Sequence, residues 1–313
     1  MKAFVLETPG SVENLVISDI DMPKFGENEV LIQVKAISIN PVDVKTRQGK
    51  GMYGRLKEIS PLILGWDISG VVVETGSAVT EFLVGDEVFG MVNFPGHGQA
   101  YAEYIAAPAS QLSIKPADIS HEEAAAATLA ALTAIQALTT HANVKPGQKV
   151  LIHSAAGGVG HFAVQMAKHL GAYVIGTSSA ANKDFVLSLG ADEHIDYQTQ
   201  KFEEVVKDAD FVLDTIGGDN MDRSLETIKP GGMLITIPSG MAESITEKAQ
   251  AKGINGFFFL VSSNGDDMKS VADLLSKGIV KAHVSQTFPF EEMGNAHLQV
   301  ETGKTKGKVV VTL

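Results

Sequence analysis

The chain has 313 residues and a formal net charge of −12, with 25 Lys and Arg against 37 Asp and Glu. This length suggests two domains and a substantial buried core. The acidic balance argues against nucleic acid or an anionic membrane as a general partner. Because the chain has no cysteine, disulfides and thiolate zinc ligation are both excluded.

The apolar segments are too short for membrane insertion. The longest mostly apolar stretch, residues 124–138, contains Thr128, Thr133 and Gln136. It is too short to span a bilayer and predicts a buried helix. The apolar run near the N-terminus is too short for a signal peptide. We therefore expect a cytoplasmic protein with no membrane partner.

Residues 1–122 are predicted to be rich in β-strands. Turn signals such as Thr8-Pro9-Gly10 and Thr75-Gly76-Ser77 separate short apolar or alternating runs. Short strands at irregular spacing indicate a small barrel or a partly open sheet. The predicted strands are Lys2–Leu6, Val30–Ile39, Ile68–Glu74, Glu87–Val92 and Ala102–Ala106.

The pattern then changes to strands that alternate with helices. Ser120 and Glu123 form a capping-box pattern before an alanine-rich helix. The alternation starts with a strand at 150–154 and ends with an outer strand at 253–261. It indicates an α/β fold with a doubly wound parallel Rossmann sheet in residues 123–262. The tail, 263–313, breaks the alternation and is expected to return to the first domain.

A glycine-rich turn follows the first strand of the alternating region. Ala155, Gly157 and Gly160 stand where the G-x-G-x-x-G dinucleotide fingerprint has its three small residues. The position between a strand and a helix makes this partial match informative. Because alanine replaces the first glycine, an ordinary tight strand-to-helix turn is the alternative.

The end of the next strand predicts which nicotinamide cofactor binds. A site that prefers NAD carries Asp or Glu there, which accepts from the ribose hydroxyls. This chain has Ser178 and Ser179, followed by Lys183. Hydroxyls and an ammonium suit a 2′-phosphate, so the sequence favours NADP(H) over NAD(H). The alternative is that these residues only cap a surface helix, and the neighbouring Asp184 would weaken the site.

A series of motifs runs in order along nearly the whole chain. They are Asn40-Pro41-Val42-Asp43, 64–72 (LGWDISGVV), Val84-Gly85-Asp86-Glu87-Val88, Tyr101-Ala102-Glu103-Tyr104, Leu132-Thr133-Ala134, Val144-Lys145-Pro146-Gly147, 155–160 (AAGGVG) and Gly307-Lys308-Val309-Val310. Together they resemble the zinc-independent quinone oxidoreductases of the medium-chain dehydrogenase/reductase superfamily. The resemblance implies a GroES-like catalytic domain split around the Rossmann domain, and an active site in the cleft between them. It also implies hydride transfer from NADPH to a quinone or an α,β-unsaturated carbonyl. A homodimer joined through the Rossmann edge strand, 256–261, is implied as well.

The resemblance also implies cofactor contacts at matching positions. Asn40 would end a strand beside the nicotinamide or its ribose, and a turn before Pro41 is the alternative. Thr133 would approach the nicotinamide side of the cofactor, and a position in a helix interior is the alternative. Gly157, Gly158 and Val159 would offer backbone N–H groups to the pyrophosphate. The other predicted cofactor residues are Tyr197, Ile216, Gly217, Ile237, Ser239, Phe258, Phe259, Leu260, Lys306 and Lys308.

Five residues are predicted near the substrate by the same resemblance: Asp43, Lys45, Arg47, Tyr53 and Trp66. Tyr53 is the candidate proton donor and the candidate aromatic face, because Lys45 stands where the family often has an aromatic residue. A structural role for Asp43, a solvated charge at Arg47 and simple packing of Tyr53 are the alternatives.

No metal site is predicted. Zinc-dependent relatives have a ligand where this chain has Trp66, whose side chain cannot ligate a metal. The histidines form no tight ligand pattern, and His153 lies in a buried-strand pattern that favours a core histidine.

The sequence is compatible with two rival functions. The first is an enone or alkenal reductase whose quinone turnover is incidental. The second is a non-catalytic NADPH-binding sensor, which would bind the cofactor without turnover.

Overall fold

The computed structural model describes residues 1–238 and 242–313, and of residues 242 and 243 only the backbone. The strands, in chain order, are β1 Lys2–Leu6, β2 Leu15–Asp19, β3 Glu29–Ile39, β4 Asp67–Thr75, β5 Glu87–Met91, β6 Tyr104–Pro108, β7 Leu112–Ile114, β8 Lys149–Ile152, β9 Tyr173–Ser178, β10 Glu193–Asp196, β11 Ala209–Asp214, β12 Ile228–Thr236, β13 Asn255–Phe258, β14 Val284–Pro289 and β15 Lys308–Thr312.

The helices connect these strands and cover them. They are α1 Pro41–Arg47, α2 Tyr53–Leu56, α3 His121–Ala126, α4 Leu129–Ile135, α5 Gly158–His169, α6 Lys183–Ser188, α7 Phe202–Val205, α8 Asp219–Leu225, α9 Ala242–Ala251, α10 Gly265–Ser276 and α11 Met293–Glu301. A π-helical stretch, Gln136–His141, continues directly from α4. None of the helices in the described ranges combines the length and the hydropathy that a membrane span requires.

The first compact unit consists of Met1–Leu132 and Val261–Leu313. Its larger sheet has the order β14-β15-β3-β4-β5-β7, and β6 also pairs with β3. Because β15 and β4 both run antiparallel to β3, their first residues adjoin the last residues of β3. Val309 is opposite Ile39, and Asp67 is opposite Ser38. Three adjacent strands therefore bring their polar ends to one edge of the sheet.

The second compact unit is Thr133–Leu260. Its six strands have the order β10-β9-β8-β11-β12-β13, and every adjacent pair is parallel. The core between the sheet and its helices includes Leu151, Ile175, Val212, Leu234 and Ile245. The prediction of an α/β fold with a parallel sheet and a separate β-rich domain is confirmed.

The alanine-rich segment begins with the predicted capping box. Glu123 N–H donates to Ser120 Oγ at 3.2 Å, and Ser120 N–H donates to the Glu123 carboxylate at 2.9 Å. The helix that follows, α3, packs against β3, β4 and β15. This packing keeps α3 with the first unit, beyond the boundary at residue 122 that the sequence pattern suggested.

Candidate active site

The turn between β8 and α5 is a tight corner. Ser154 has a left-handed backbone conformation with φ of 50°, and its carbonyl accepts from the Gly157 N–H at 2.8 Å. A Cβ on Gly160 would lie 2.1 Å from the Ser154 carbonyl oxygen. Only glycine therefore lets the helix approach the turn this closely.

The first turn of α5 presents backbone donors at this corner. The N–H groups of Gly158, Val159 and Gly160 lie in the first helical turn, where an α-helix offers no acceptor. Gly157, Gly158 and Val159 are partly exposed. These donors and the positive end of the helix dipole suit a pyrophosphate. The geometry fits the role predicted for this turn.

Ala155 has a structural counterpart on the neighbouring strand. Its N–H donates to the Thr177 carbonyl at 2.8 Å, which ties the turn to the end of β9. A Cβ on Gly176 would lie 2.8 Å from the Ala155 methyl carbon and 2.7 Å from a Val186 methyl carbon. The glycine of β9 thus makes room for the alanine that replaces the first fingerprint glycine.

The end of β9 differs in part from the prediction. Ser178 is buried, and its hydroxyl donates to the Ser179 carbonyl at 3.1 Å. The same oxygen lies 2.8 Å from His194 Nε2. Because a hydroxyl has one hydrogen, His194 Nε2–H is the donor to Ser178 Oγ. The Ser178 hydroxyl is therefore engaged within the protein and is not a donor to a 2′-phosphate.

Ser179 and Lys183 remain the accessible members of the predicted 2′-phosphate group. Ser179 is half-buried, and Lys183 is exposed at the start of α6. Tyr197, a predicted adenosine contact, is exposed, and its N–H donates to the Ser178 carbonyl at 3.3 Å. The structure therefore brings these residues to one corner. It adds His194, which no local sequence pattern indicates, because only the β9–β10 register places it there.

Asp214 organises the loop after β11. This buried carboxylate accepts from Gly217 N–H at 3.0 Å, from Asn220 Nδ2 at 2.8 Å and from Thr236 Oγ1 at 2.8 Å. Its carbonyl accepts from Ile237 N–H at 3.0 Å. Asp214 thus joins the ends of β11 and β12.

Most of the other predicted cofactor residues of the second unit lie near these strand ends. Phe259 N–H donates to the Thr236 carbonyl at 2.9 Å, and its ring centre lies 4.7 Å from that of His141. Thr133 is buried, Phe258 and Leu260 are half-buried, and Ile216 is exposed. Ser239, another predicted cofactor contact, lies outside the described residues.

His153 is a buried core histidine, as predicted. Nδ1 lies 3.1 Å from Thr177 Oγ1, and Nε2 lies 3.0 Å from Ser224 Oγ. Burial lowers the pKa of His153 to about 4, so its ring is neutral at physiological pH.

A buried polar cluster lies at the strand ends of the first unit, centred on Asn40. Its side-chain oxygen accepts from the Lys308 ammonium, and its side-chain nitrogen donates to Asp67 at 2.8 Å. Its backbone N–H donates to the Asp43 carboxylate at 2.7 Å. Asp67 also accepts from the Leu129 N–H at 3.0 Å, at the start of α4. The cluster therefore connects β3, β4, β15, α1 and α4.

This cluster contains three ionisable groups almost without solvent contact. Asp43 and Asp67 are 0% exposed, and Lys308 is 3% exposed. Burial, assisted by the negative charge of Asp67, raises the pKa of Asp43 to about 8. Burial also raises the pKa of Asp67 and lowers that of Lys308, and their mutual attraction opposes both shifts. Asp43 is therefore largely protonated at neutral pH, and Lys308 is the cation that compensates Asp67.

The burial of Lys308 changes its expected role. Its ammonium donates to the Ile39 carbonyl at 3.2 Å and to Asn40, so it acts inside the first unit. Lys306, the other predicted lysine, is half-buried. Burial lowers the pKa of His283, and the charge of Lys306 lowers it further. Lys308 is therefore too deeply buried for the direct cofactor contact predicted for it.

Two of the predicted substrate residues belong to the core of the first unit. Arg47 is 2% exposed and forms an ion pair with Glu301. Trp66 is 1% exposed, and its indole N–H donates to the Gly96 carbonyl at 2.7 Å. Its ring packs edge to face on Phe94. This burial leaves neither side chain a surface for direct substrate contact, and Asp43 is buried in the same way.

Lys45 and Tyr53 are the accessible members of that predicted set. Lys45 is exposed on α1, and Tyr53 is half-buried at the start of α2. In the described part of the chain, no group of three or more His, Cys, Asp or Glu side chains is placed to hold a metal ion.

Comparison with known proteins places this geometry among dehydrogenases. A family model described as an alcohol dehydrogenase GroES-like domain matches residues 26–117, and one described as a zinc-binding dehydrogenase matches residues 189–311. An NADPH-dependent alkenal/one oxidoreductase of Arabidopsis thaliana is 36% identical over 321 aligned residues, which cover 99% of this chain and 79% of that protein.

Solved structures agree over the whole chain. The quinone oxidoreductase of Coxiella burnetii is 37% identical, with a TM-score of 0.95 and coverage of 100% of this chain and 99% of that one. The Escherichia coli quinone oxidoreductase, solved in complex with NADPH, is 27% identical, with a TM-score of 0.88 and complete coverage of both chains.

Proposed function

Because this chain belongs to the quinone oxidoreductases and alkenal reductases of the medium-chain dehydrogenase/reductase superfamily, we propose that it reduces enones and quinones with NADPH. The name of the Arabidopsis relative gives NADPH as its cofactor and alkenals or enones as its substrates. The two bacterial structures are those of quinone oxidoreductases. Both acceptor classes offer an electrophilic carbon or ring system to a hydride.

One observation in the structure carries this proposal. The glycine corner at the start of α5 stands beside a β9 end that has Ser179 and Lys183 in place of an acidic residue. The corner leaves no room for a Cβ at position 160, so α5 packs closely on the turn, as the third glycine of a dinucleotide fingerprint allows. A carboxylate at the strand end would repel a 2′-phosphate, whereas the Lys183 ammonium attracts it.

Bound NADPH supplies the hydride, from C4 of its nicotinamide ring. The protein supplies position: the N–H groups of Gly158 and Val159 bind the pyrophosphate, and Asp214 holds the loop that carries Ile216 and Gly217. Reduction also requires a proton at the acceptor. Tyr53, whose side chain is half-buried on α2, is our candidate donor.

Steady-state kinetics test this function. NADPH oxidation is followed with a panel of alkenals, enones and small quinones, and kcat/KM is compared between the classes. Turnover with either class supports the proposal, and a higher kcat/KM for enones would identify quinones as incidental acceptors. Binding of NADPH without turnover of any acceptor would instead support a non-catalytic sensor.

Cofactor preference is tested by removing the Lys183 ammonium. We expect Lys183→Ala to weaken NADPH binding about tenfold or more and to leave NADH binding within about twofold. Lys201→Ala is the matched control, because Lys201 is also exposed but pairs with Glu204. Equal weakening of both cofactors would remove Lys183 from the 2′-phosphate site.

A homodimer through β13 is part of the proposal. β13 is an edge strand that pairs with β12, and Phe259 N–H donates inward to Thr236. Since N–H directions alternate along a strand, the Phe258 N–H points outward, where a second copy can pair. Phe258→Pro should therefore convert a dimer into a monomer in light scattering. An unchanged mass would exclude this edge as the interface.

A cytoplasmic location is also proposed, because a chain without cysteine suits a reducing compartment. Fractionation of the source cells with an antibody to the chain tests it. Recovery in a membrane or secreted fraction would contradict it.

A further inference from the structure

His194 lies within the proposed 2′-phosphate corner. It is on β10, opposite Gly176 of β9, and its ring is half-buried. Nε2–H donates to Ser178 Oγ at 2.8 Å, one residue before Ser179. Burial lowers the pKa of the His194 ring, and the charge of Lys183 lies close enough to lower it further. His194, Ser179 and Lys183 therefore form one group at the carboxyl end of β9.

The second ring nitrogen is the one available to a ligand. Nδ1 takes part in no described hydrogen bond. A buried Nδ1 would therefore be an unsatisfied polar atom, and it is not one of these, so it is exposed to solvent. With the hydrogen on Nε2, a neutral ring has only an acceptor at Nδ1. A phosphate oxygen is also an acceptor, so the two atoms cannot form a hydrogen bond. A protonated ring presents Nδ1–H as a charged donor, which a phosphate oxygen binds strongly.

We infer that His194 is a further ligand of the 2′-phosphate of NADPH, and that its ring takes up a proton from solvent when that phosphate binds. The inference rests on the proposed function, because it assumes that NADPH is the cofactor. NADH lacks the 2′-phosphate, so its binding should leave the ring neutral. His194 would then make NADPH affinity, and with it the choice of cofactor, dependent on pH.

Burial favours a neutral His194 ring before the cofactor arrives. Burial lowers the pKa of His194, Lys183 from α6 lowers it further, and Asp196 on β10 opposes both. The Asp196 carboxylate accepts from Thr199 Oγ1 at 2.9 Å, and Glu193 accepts from the Tyr173 hydroxyl at 2.5 Å. Asp184 is the other charged residue at the start of α6. A bound phosphate dianion adds the negative charge that stabilises the imidazolium.

Calorimetry on the full chain, stripped of cofactor, tests the inference. NADPH and NADH are titrated at pH 7.5 in two buffers with different ionisation enthalpies, and the difference in heat gives the protons taken up. The 2′-phosphate has its second pKa at about 6, so it contributes little at this pH. We expect the wild-type protein to take up about half a proton or more with NADPH and none with NADH.

The variant His194→Gln keeps a donor toward Ser178 Oγ but cannot be protonated. It should bind NADPH with no proton uptake. The dissociation constant of wild type for NADPH should rise about tenfold between pH 7 and pH 9, and that of the variant by less than about twofold. His169→Gln is the matched control, because His169 is exposed on the last turn of α5 and should leave wild-type behaviour intact.

Equal proton uptake in wild type and His194→Gln would overturn the inference, and so would equal uptake with NADPH and NADH. A wild-type protein that binds neither cofactor would instead overturn the proposed function. Circular dichroism of both variants confirms that the parallel sheet is intact, and an unfolded His194→Gln variant is replaced by His194→Asn.

Discussion

Lys308, in the last strand of the chain, donates from its buried ammonium to the side-chain oxygen of Asn40, 268 residues earlier. The nitrogen of the same carboxamide donates to Asp67 at 2.8 Å. The amide thus lies between a buried cation and a buried anion, with its dipole aligned to both. A flipped amide would set its N–H groups against the ammonium and its oxygen against the carboxylate. The two charges therefore determine the orientation of Asn40.

This relationship predicts strong coupling between Lys308 and Asp67. Lys308→Met should lower the free energy of unfolding by about 3–5 kcal/mol, because it leaves the Asp67 carboxylate buried without a cation. The double variant Lys308→Met/Asp67→Asn removes both charges and should recover part of that loss. Urea unfolding of the single and double variants measures the coupling. Strictly additive losses would show that the two charges do not interact.

Asp43 predicts a pH dependence of stability with a defined sign. Its pKa is about 8 in the folded chain against 3.8 for the free side chain. The folded state therefore holds a proton that the unfolded state has lost, and stability falls as pH rises from about 4 to 8. Asp43→Asn has no such proton. The unfolding free energy of Asp43→Asn minus that of wild type should therefore increase by about 1.4 kcal/mol for each pH unit between pH 5 and pH 8.

Urea unfolding at several pH values checks this slope, because every other titrating group is common to the two proteins and cancels in the difference. A difference between Asp43→Asn and wild type that stays constant from pH 5 to pH 8 would mean that Asp43 is ionised throughout.

His153 predicts a loss of stability on the acid side. Its pKa falls from 6.5 to about 4 on folding. Its contribution to the free energy of unfolding is present above pH 6.5 and is lost as pH falls toward 4. In that range the unfolded chain binds a proton at His153 and the folded chain does not. Between pH 6.5 and pH 5 the wild type should lose about 2 kcal/mol through this group. The variant His153→Gln should lose that much less, as measured by thermal or urea unfolding, and parallel losses would rule out a neutral His153 in the fold.

The close approach of Ala155 to Gly176 predicts that a smaller residue at position 155 compensates for a larger one at position 176. Gly176→Ala should destabilise the chain by about 1–3 kcal/mol, because the new methyl group meets Ala155 and Val186. In an Ala155→Gly background the same change should be less harmful, although the Val186 contact remains. A thermodynamic cycle of the four proteins measures the difference. If Gly176→Ala destabilises both backgrounds equally, the two residues are not sterically coupled.

Local patterns allowed part of this site to be predicted from sequence. The glycine corner, the Ser120 capping box and the buried His153 each depend on residues close in the chain or on the period of one strand. Helix α1 was missed because Asn40-Pro41 also indicates a turn. Asp43, three residues after Asn40, was the overlooked signal, since its carboxylate accepts from the Asn40 N–H.

Features that depend on long-range register were beyond local patterns. The Ser178–His194 hydrogen bond joins residues 16 apart through the pairing of β9 with β10. The burial of Arg47 depends on α11, which supplies Glu301, and that of Trp66 on the loop that contains Gly96. The sequence motif alone predicts that such charged or aromatic residues contact the substrate, and only the packing around them shows that they are buried.

Hydride transfer from NADPH to an enone carbon or to a quinone can be followed with an isotope label. NADPH deuterated at C4, on either face in separate reactions, is incubated with the protein and an enone, and the product is examined by mass spectrometry. We expect one of the two labelled forms to yield a saturated product that carries one deuterium at the β-carbon. Product without deuterium from both forms, or no product while NADPH is bound, would contradict this expectation.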